Sequence, residues 1–300
     1  MRSVEARNPR VGGANPPVMV ATRLEVRMRL EGVRGVVLDL DGTVYDDHGL
    51  IPGAAEAVTA LRSAGLGLRF ATNTSRFPRG ALVERLRSLG VHATRDEVIT
   101  APRAAAAWLV SHELTRISLH VAAATVEEFA AFMIDEQSPQ ATVVGDLADG
   151  WHVERLNRVF RHVLGGARLL AIHKNRYWIR GGALCLDAGP FVAAIEYATG
   201  VTAVVAGKPS AQFFESAARS LDLSAADLVM VGDDVRTDVE GAQAAGARGV
   251  LVRTGKFRAS DLDDPDLWRL RKGARLTVGL HHQPDLVLDS IADLPAALGV

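Results

Sequence analysis

Cysteine is almost absent from this 300-residue chain, which contains only Cys185. A single cysteine excludes an internal disulfide framework and fits a reducing compartment. We expect Cys185 to be a small buried apolar residue rather than a catalytic thiol. No apolar run approaches the roughly 20 residues needed to span a bilayer. We therefore expect a cytoplasmic protein without a membrane partner.

Net charge is also nearly absent, because 34 basic residues oppose 35 acidic ones and leave −1. This balance predicts no nucleic-acid partner and no binding to anionic membranes. Lysine is scarce, with four lysines against thirty arginines. Hydrophobic residues make up 48% of the chain, which is enough for the core of one large domain or two ordinary ones.

The N-terminal region differs in composition from the rest. Residues 8–17 are rich in Asn, Pro and Gly and have no hydrophobic period, which is typical of irregular chain. The nearby arginines are interspersed with acids and lack the apolar region of a targeting peptide. We expect residues 1–32 to form a disordered tail. Met28 lies just before the first predicted strand, so whether the residues before it belong to the native protein stays open.

Two carboxylates, Asp39 and Asp41, end the strand-like apolar run at residues 36–38 and are followed by Gly42 and Thr43. The carboxyl ends of strands in open α/β sheets are where ligands bind. Two acids crowded at such a place repel each other unless a metal or a shared proton compensates. Taken alone, the pattern fits a strand followed by an Asp-Gly turn equally well.

Three later segments place polar groups next to predicted strands or helix starts. They are Thr72-Asn73 at the end of a strand-like run, Lys208 before a Pro-Ser helix start, and Asp233-Asp234 after the apolar run 228–231, with Asp238 further on. Each segment by itself is only a weak indication of function. Together they supply an acid pair, a hydroxyl, a cation and a second acid cluster, the set that magnesium-assisted phosphoryl transfer requires.

Alternating strands and helices predict an α/β fold with a doubly wound, Rossmann-like parallel sheet. We expect this sheet to be built from residues 33–102 and 205–300. Residues 103–204 form a second alternating block, in which we expect strands at 117–121, 141–144, 169–172 and 201–205 and helices at 126–133, 153–163 and 190–198. No acid pair ends a strand in this block, so we expect a folded insertion that covers the site.

In chain order, these four segments resemble the motifs of haloacid dehalogenase (HAD)-like phosphatases. The insertion lies where class II members of that superfamily carry an α/β cap domain. Four further stretches are similar to a subgroup of class IIA capped phosphatases: residues 173–177, 187–191, 196–200 and 253–258. The resemblance covers the chain from about residue 33 to the C-terminus.

The resemblance implies that Asp39 is a nucleophile that forms an aspartyl-phosphate, with Asp41 as general acid and base. It implies a Mg²⁺ cofactor held by Asp39, by the backbone carbonyl of Asp41 and by Asp233. A purely metal-binding role for the Asp41 side chain is the less favoured alternative. We expect Asp238 to orient a metal-bound water or the lysine of the third motif. Asp234 either shares that task or caps a helix.

Phosphate binding is expected from Thr72, Asn73 and Lys208, whose hydroxyl, amide and ammonium groups can reach the phosphoryl oxygens. Five further basic residues have two open interpretations: either they contact the leaving group, or they belong to a solvated basic turn. These residues are Arg76, near the second motif, and His173, Lys174, Arg176 and Arg180, in the insertion.

The predicted function is a Mg²⁺-dependent phosphatase acting on a small phosphorylated substrate, since a folded cap excludes bulky molecules. A phosphomutase and a non-catalytic phosphate-binding regulatory module remain as alternatives. Dehalogenation is disfavoured because that chemistry does not need the acid at Asp41. We also consider a homodimer formed through the cap. The physiological substrate is not indicated by the sequence, because substrates vary among proteins that share a fold.

Overall fold

The computed structural model describes residues 30–180, 183–259 and 283–300. Its strands form two parallel sheets and two short hairpins among these residues. The predicted α/β fold class is confirmed. Residues 1–29 of the predicted tail lie outside the described residues. The last residues of that tail are not separate from the fold, because Leu30 is buried in the hydrophobic core and the Glu31 carbonyl accepts a hydrogen bond from Arg248.

The first part of the chain supplies half of the larger sheet. Its strands are β1 (Gly35–Asp39), β2 (Tyr45–Asp46), β3 (Gly49–Leu50), β4 (Gly67–Thr72) and β5 (Val98–Thr100), and its helices are α1 (Ala54–Ser63), α2 (Arg79–Ser88) and α3 (Ala101–Ser111). Every residue of β1 is buried, as expected for a central strand covered on both faces.

The middle of the chain forms the smaller sheet and a hairpin. Its strands are β6 (Arg116–His120), β7 (Met133–Ile134), β8 (Ala141–Val144), β9 (Arg168–Ala171), β10 (Tyr177–Arg180), β11 (Ala183–Leu186) and β12 (Val204–Val205), and its helices are α4 (Val153–Leu164) and α5 (Ala188–Thr199). The sheet has the order β12-β9-β8-β6-β7, and β10 pairs with β11 outside it.

The helix predicted over residues 126–133 was wrong. A 3-10 helix over Ala123–Phe129 leads instead into strand β7. Phe129 is buried in the core and the Thr125 hydroxyl donates to the Ser75 carbonyl. These tertiary contacts turn the chain before a helix can extend, and they outweigh a local propensity of a few tenths of a kcal/mol, a typical order of magnitude per residue.

The last part of the chain completes the larger sheet. Its strands are β13 (Leu228–Gly232), β14 (Arg248–Val252) and β15 (Leu286–Leu288), and its helices are α6 (Ala211–Arg219), α7 (Gly241–Ala244) and α8 (Leu294–Leu298), with a π-helical turn over Val235–Glu240 before α7. The sheet order is β15-β14-β13-β1-β4-β5, and all of its pairings are parallel.

Both faces of the larger sheet are covered. Val36 and Leu38 of β1 pack into one hydrophobic cluster with residues of α1 and α2. The side chain between them, Val37, points the other way and packs with Phe213 and Phe214 of α6. The strand alternation therefore feeds two core layers, which is the doubly wound arrangement that the sequence predicts.

The predicted boundaries between the core and the inserted domain, at residues 102/103 and 204/205, stay predictions. Helix α3 (Ala101–Ser111) crosses the first of them and continues directly from β5. In the described ranges of the chain, no helix combines the length and the apolar character that crossing a membrane requires.

Candidate active site

Strand order brings the predicted site residues to one edge of the larger sheet. Strand β1 lies between β4 and β13, so the residues that end these three strands are neighbours. Asp39 is paired in register with Ala71, just before Thr72, and Asp233 directly follows β13. All three polar side chains, Asp39, Thr72 and Asp233, are buried.

Lys208 joins the first and last motifs. Its Nζ lies 2.6 Å from Asp39 Oδ1 and 2.6 Å from Asp238 Oδ1, and it contacts the Ala71 carbonyl oxygen at 3.4 Å. Burial by itself lowers the pKa of Lys208, but the attraction of Asp238 and Asp39 outweighs it and raises that pKa above its usual value. Lys208 is therefore a permanently charged ammonium held between two carboxylates.

Asn73 holds the lysine backbone in place. Its side-chain oxygen accepts from the Lys208 backbone N–H at 2.9 Å, and its amide donates to the Lys208 carbonyl at 2.9 Å. The same amide reaches the Asn175 side-chain oxygen at 3.3 Å. Its side chain is thus occupied by these partners, which leaves its backbone N–H as the group able to bind a phosphate.

The loop that follows β14 packs on the two acidic motifs. The Thr254 hydroxyl donates to the Gly42 carbonyl oxygen at 2.5 Å, and the Lys256 backbone N–H donates to Asp233 Oδ2 at 2.6 Å. Gly42 and Gly255 both have positive φ, and a Cβ on either residue would collide with Asp233. Glycine is required at both positions because these two segments of the chain approach each other so closely.

Burial raises the pKa of all three innermost acids. Desolvation is the main cause for Asp39, where Lys208 opposes it. The pKa of Asp233 lies well above its usual value because burial and the nearby Asp39 act together. Burial likewise raises the pKa of Asp238, again against the attraction of Lys208. These three acids are therefore costly to ionise where they are buried, and only Lys208 contacts any of them with its ammonium group among the described residues.

These acids fit a divalent cation. One carboxylate oxygen from each of Asp39, Asp233 and Asp238 lies within 4.8 Å of the others. Asp233 Oδ1 is buried and has no hydrogen-bond partner, which is costly unless a cation completes it. Oxygen-only donors of this kind suit Mg²⁺. Both Asp238 oxygens already accept hydrogen bonds, Oδ1 from Lys208 and Oδ2 from the Asp234 backbone N–H at 3.2 Å. Asp39 and Asp233 are therefore the more available ligands.

The two remaining acids differ in environment. Asp41 is exposed as a residue, yet desolvation by the residues around its carboxyl group raises its pKa, and Lys256 and Arg85 oppose the shift. Asp234 caps the helical turn that follows it, since its Oδ1 accepts from the backbone N–H groups of Arg236 and Thr237. Capping was one of the two roles considered for Asp234.

The basic residues of the insertion differ in their surroundings. Lys174 Nζ forms an ion pair with both carboxylate oxygens of Glu196, at 2.9 and 2.7 Å, which favours the second of its two open interpretations, a residue that does not contact the leaving group. Arg176 is exposed, and the Arg180 side chain lies outside the described part. His173 is buried, its Nδ1 has no partner, and burial lowers its pKa.

Arg76 connects the second motif to the insertion. Its Nε lies 2.5 Å from Asp146 Oδ2, and its guanidinium stacks 3.0 Å from the centre of the Trp178 ring. The Asp146 backbone N–H also donates to Ser75 Oγ. Arg76 is therefore a link between core and insertion, a role that was not predicted.

Three contributors were missed at the sequence level: Lys256, Asn175 and Asp146. Asn175 and Asp146 carry no local signal, because their partners are about 70 to 100 positions away in the chain. Lys256 did carry one. It is one of only four lysines and lies in a segment that the family resemblance covers.

The site consists of a buried lysine and paired acids at the carboxyl edge of a doubly wound sheet, and it is linked to a second parallel sheet. This combination defines a capped α/β hydrolase. Comparison with known proteins identifies the family. Residues 36–133 match the family described as haloacid dehalogenase-like hydrolase, and residues 205–294 match the one described as HAD-hydrolase-like. The chain belongs to the haloacid dehalogenase-like hydrolase family.

Two curated relatives cover most of the chain. It is 42% identical over 229 residues to haloacid dehalogenase-like hydrolase domain-containing protein 2 of Mus musculus, covering 76% of this chain and 87% of that one. It is 40% identical over 245 residues to phospholysine phosphohistidine inorganic pyrophosphate phosphatase of Bos taurus, covering 80% and 90%. The family resemblance seen in the motifs is thus confirmed.

Among solved structures, the chain is similar to 4-nitrophenylphosphatase from Thermotoga maritima. The TM-score is 0.78 at 28% sequence identity, and the match covers 90% of this chain and 99% of that one. The similarity extends over the inserted sheet as well as the larger sheet, because so little of either chain is left out.

Proposed function

We propose that this protein is a Mg²⁺-dependent phosphatase that hydrolyses a small phosphorylated molecule through an aspartyl-phosphate on Asp39. The observation that carries the proposal is the buried cluster in which Asp39 contacts Lys208 and lies within 4.8 Å of Asp233 and Asp238. Two of the similar proteins are named as phosphatases, which supports the same reaction class for this chain.

In the first half-reaction, an oxygen of Asp39 forms a bond to phosphorus while the bond from phosphorus to the leaving oxygen breaks. Asp41 gives its proton to that oxygen, a role that its raised pKa suits. In the second half-reaction, Asp41 takes a proton from water as the water oxygen attacks phosphorus. The bond between Asp39 and phosphorus then breaks, and inorganic phosphate is released.

The charged groups around Asp39 lower the barrier to attack by one anion on another. Mg²⁺ would be held by Asp39, Asp233 and the Asp41 backbone carbonyl, and when bound it supplies positive charge to the phosphoryl oxygens. Lys208 adds a fixed positive charge. The Thr72 hydroxyl and the Asn73 backbone N–H bind and orient the same oxygens.

The test uses an aryl phosphate with and without Mg²⁺. We expect metal-dependent phosphate release by the wild type and none above background by Asp39→Asn. No release by the wild type across inorganic pyrophosphate, phosphohistidine, sugar phosphates, nucleotides and pyridoxal phosphate would contradict a phosphatase and favour a binding module. Transfer of the phosphoryl group to an added alcohol in preference to water would indicate a phosphomutase instead.

A further inference from the structure

We propose that Lys256 is a second substrate-binding cation, whose ammonium group binds the phosphate dianion beside the Mg²⁺ site. This inference rests on the proposed phosphatase function. Lys256 belongs to none of the four motifs, yet its backbone is fixed to them. Its N–H donates to Asp233 Oδ2 at 2.6 Å, and Thr254, two residues earlier, donates to the carbonyl oxygen of Gly42.

The two lysines near the cluster differ in what their ammonium groups contact. Lys208 is buried, and its three N–H donors face Asp39, Asp238 and the Ala71 carbonyl. The Lys256 side chain is exposed at the rim, and its Nζ forms no ion pair within 4.0 Å among residues 30–180, 183–259 and 283–300. Lys256 thus has donors left for a ligand.

Lys256 lies beside the cluster. Its backbone N–H bonds to Asp233, and the preceding Gly255 packs so closely on Gly42 and Asp233 that a Cβ there would collide with both. The Lys256 side chain therefore starts next to the predicted metal ligand and the loop that follows the nucleophile, and it is exposed.

A charge count shows why a second cation is needed. Asp39, Asp233 and Asp238 carry three negative charges when ionised, and Lys208 with Mg²⁺ carries three positive ones. This inner cluster is therefore neutral and offers no net charge to a phosphate dianion. Lys256 adds one positive charge beside it. A compact ammonium on a flexible stem can follow the phosphoryl group as it binds.

The structure separates the role of the Lys256 side chain from that of its backbone. The hydrogen bond to Asp233 comes from the backbone N–H and persists whatever side chain follows. Lys256→Met therefore removes the charge and keeps the loop attached. Arg253→Gln is a matched control, because it removes one positive charge from the same loop at a residue that pairs with Asp289 on the surface.

The experiment measures binding of inorganic phosphate to the full-length, Mg²⁺-loaded protein by calorimetry, together with aryl phosphate kinetics. In Lys256→Met we expect the Kd of phosphate and the KM to rise roughly 10- to 100-fold, the loss of one charge-assisted hydrogen bond. Lys256→Arg should recover most of the affinity, and Arg253→Gln should match the wild type. The Tm of every variant should stay close to that of the wild type.

Two results would overturn the inference: a wild-type Kd for phosphate in Lys256→Met, or an equal loss in Lys256→Arg together with a lowered Tm, which indicates a structural role. Either can occur while the wild type hydrolyses the aryl phosphate, so the phosphatase proposal would survive. A wild type that neither hydrolyses phosphates nor binds inorganic phosphate would instead contradict both proposals.

Discussion

Residues that follow β4 of the larger sheet contact residues that follow β8 and β9 of the smaller sheet, but the strand ends of the two sheets present different chemistry. In the larger sheet, β1 and β13 end in the buried acids Asp39 and Asp233. In the smaller sheet, β8 leads to Asp146 and β9 leads to His173. The first edge carries unbalanced charge, whereas the second carries a paired acid and an imidazole whose pKa is lowered by burial.

This difference separates chemistry from positioning. The carboxyl edges of two parallel sheets differ in function only through the residues that end their strands. The larger sheet concentrates the nucleophile, the acid and the cations. The smaller sheet contacts that site through neutral or paired groups, such as Asn175 on Asn73 and Asp146 on Arg76. Substitutions at the first edge should therefore affect kcat, and those at the second should mainly affect KM.

The largest expected effect belongs to Asp39→Asn. Losing the nucleophile should lower kcat by at least about a thousandfold, as removal of catalytic nucleophiles does. The Tm should not fall, because the pKa of Asp39 is raised and its charge is costly to bury. Kinetics with an aryl phosphate and a thermal melt check both statements. Wild-type activity in this variant would remove Asp39 from the mechanism.

Next in size is Lys208→Met, which should affect both activity and stability. Removing the ammonium leaves Asp39 and Asp238 as buried acids without their shared partner. We expect a loss of about 3 kcal/mol in the free energy of unfolding, typical of breaking a buried pair, and activity below detection. Urea denaturation measures the first and aryl phosphate hydrolysis the second. Unchanged stability would show that the two carboxylates do not depend on Lys208.

Mg²⁺ and pH should act on stability together. The raised pKa values of Asp39, Asp233 and Asp238, the last to about 7, mean that the metal-free folded state holds protons that the unfolded chain has released. Stability without metal should therefore fall as pH rises from about 4 to 7. Mg²⁺ at 100 times its Kd should add about 2.7 kcal/mol.

Thermal melts with Mg²⁺ or EDTA at both ends of this pH range provide the check. Because the metal must displace protons from these acids, the stabilisation should be greater at pH 7 than at pH 5. Equal stabilisation at both pH values would contradict binding to this cluster, and Asp233→Asn should abolish most of the effect.

The smallest effect should come from Arg76→Ala at the contact between core and insertion. Losing the pair with Asp146 and the stacking on Trp178 should raise KM about tenfold with little change in kcat, given typical ion-pair and cation–π energies of about 1–2 kcal/mol. Lys174→Met is the control within the insertion, since Lys174 pairs with Glu196 of the insertion itself. A large loss of kcat in Arg76→Ala would assign Arg76 to the chemistry.

The local sequence pattern was sufficient to predict the larger sheet and the acids that end its strands. The buried run of β1 and the polar residues at its end are adjacent in sequence, so periodicity and motif order predict where Asp39 and Asp233 meet. The hairpin of β10 and β11 and the 3-10 helix before β7 were not predictable in this way. The conformation of the 3-10 helix depends on partners far along the chain, such as Ser75 for Thr125. The two strands of the hairpin pair with each other, but their residues show no local signal that predicted them.

Lys256 was missed within the site although it is one of only four lysines and its segment shares the family resemblance. Its sequence signal does not say what it contacts, because only the pairing of β14 beside β13 brings its backbone to Asp233. By contrast, Lys208 was predictable because a Pro-Ser helix start follows it and its motif lies in a fixed order with the others.

The most direct test of the claim that the larger sheet performs the chemistry is to trap the phosphorylated protein. The wild type, mixed with an aryl phosphate and Mg²⁺ and quenched in acid within a single turnover, is digested and analysed by mass spectrometry. We predict a phosphoryl group on Asp39 and on no other residue, and none in Asp39→Asn. A phosphoryl group on another side chain, or rapid turnover with no phosphorylated peptide, would contradict the account.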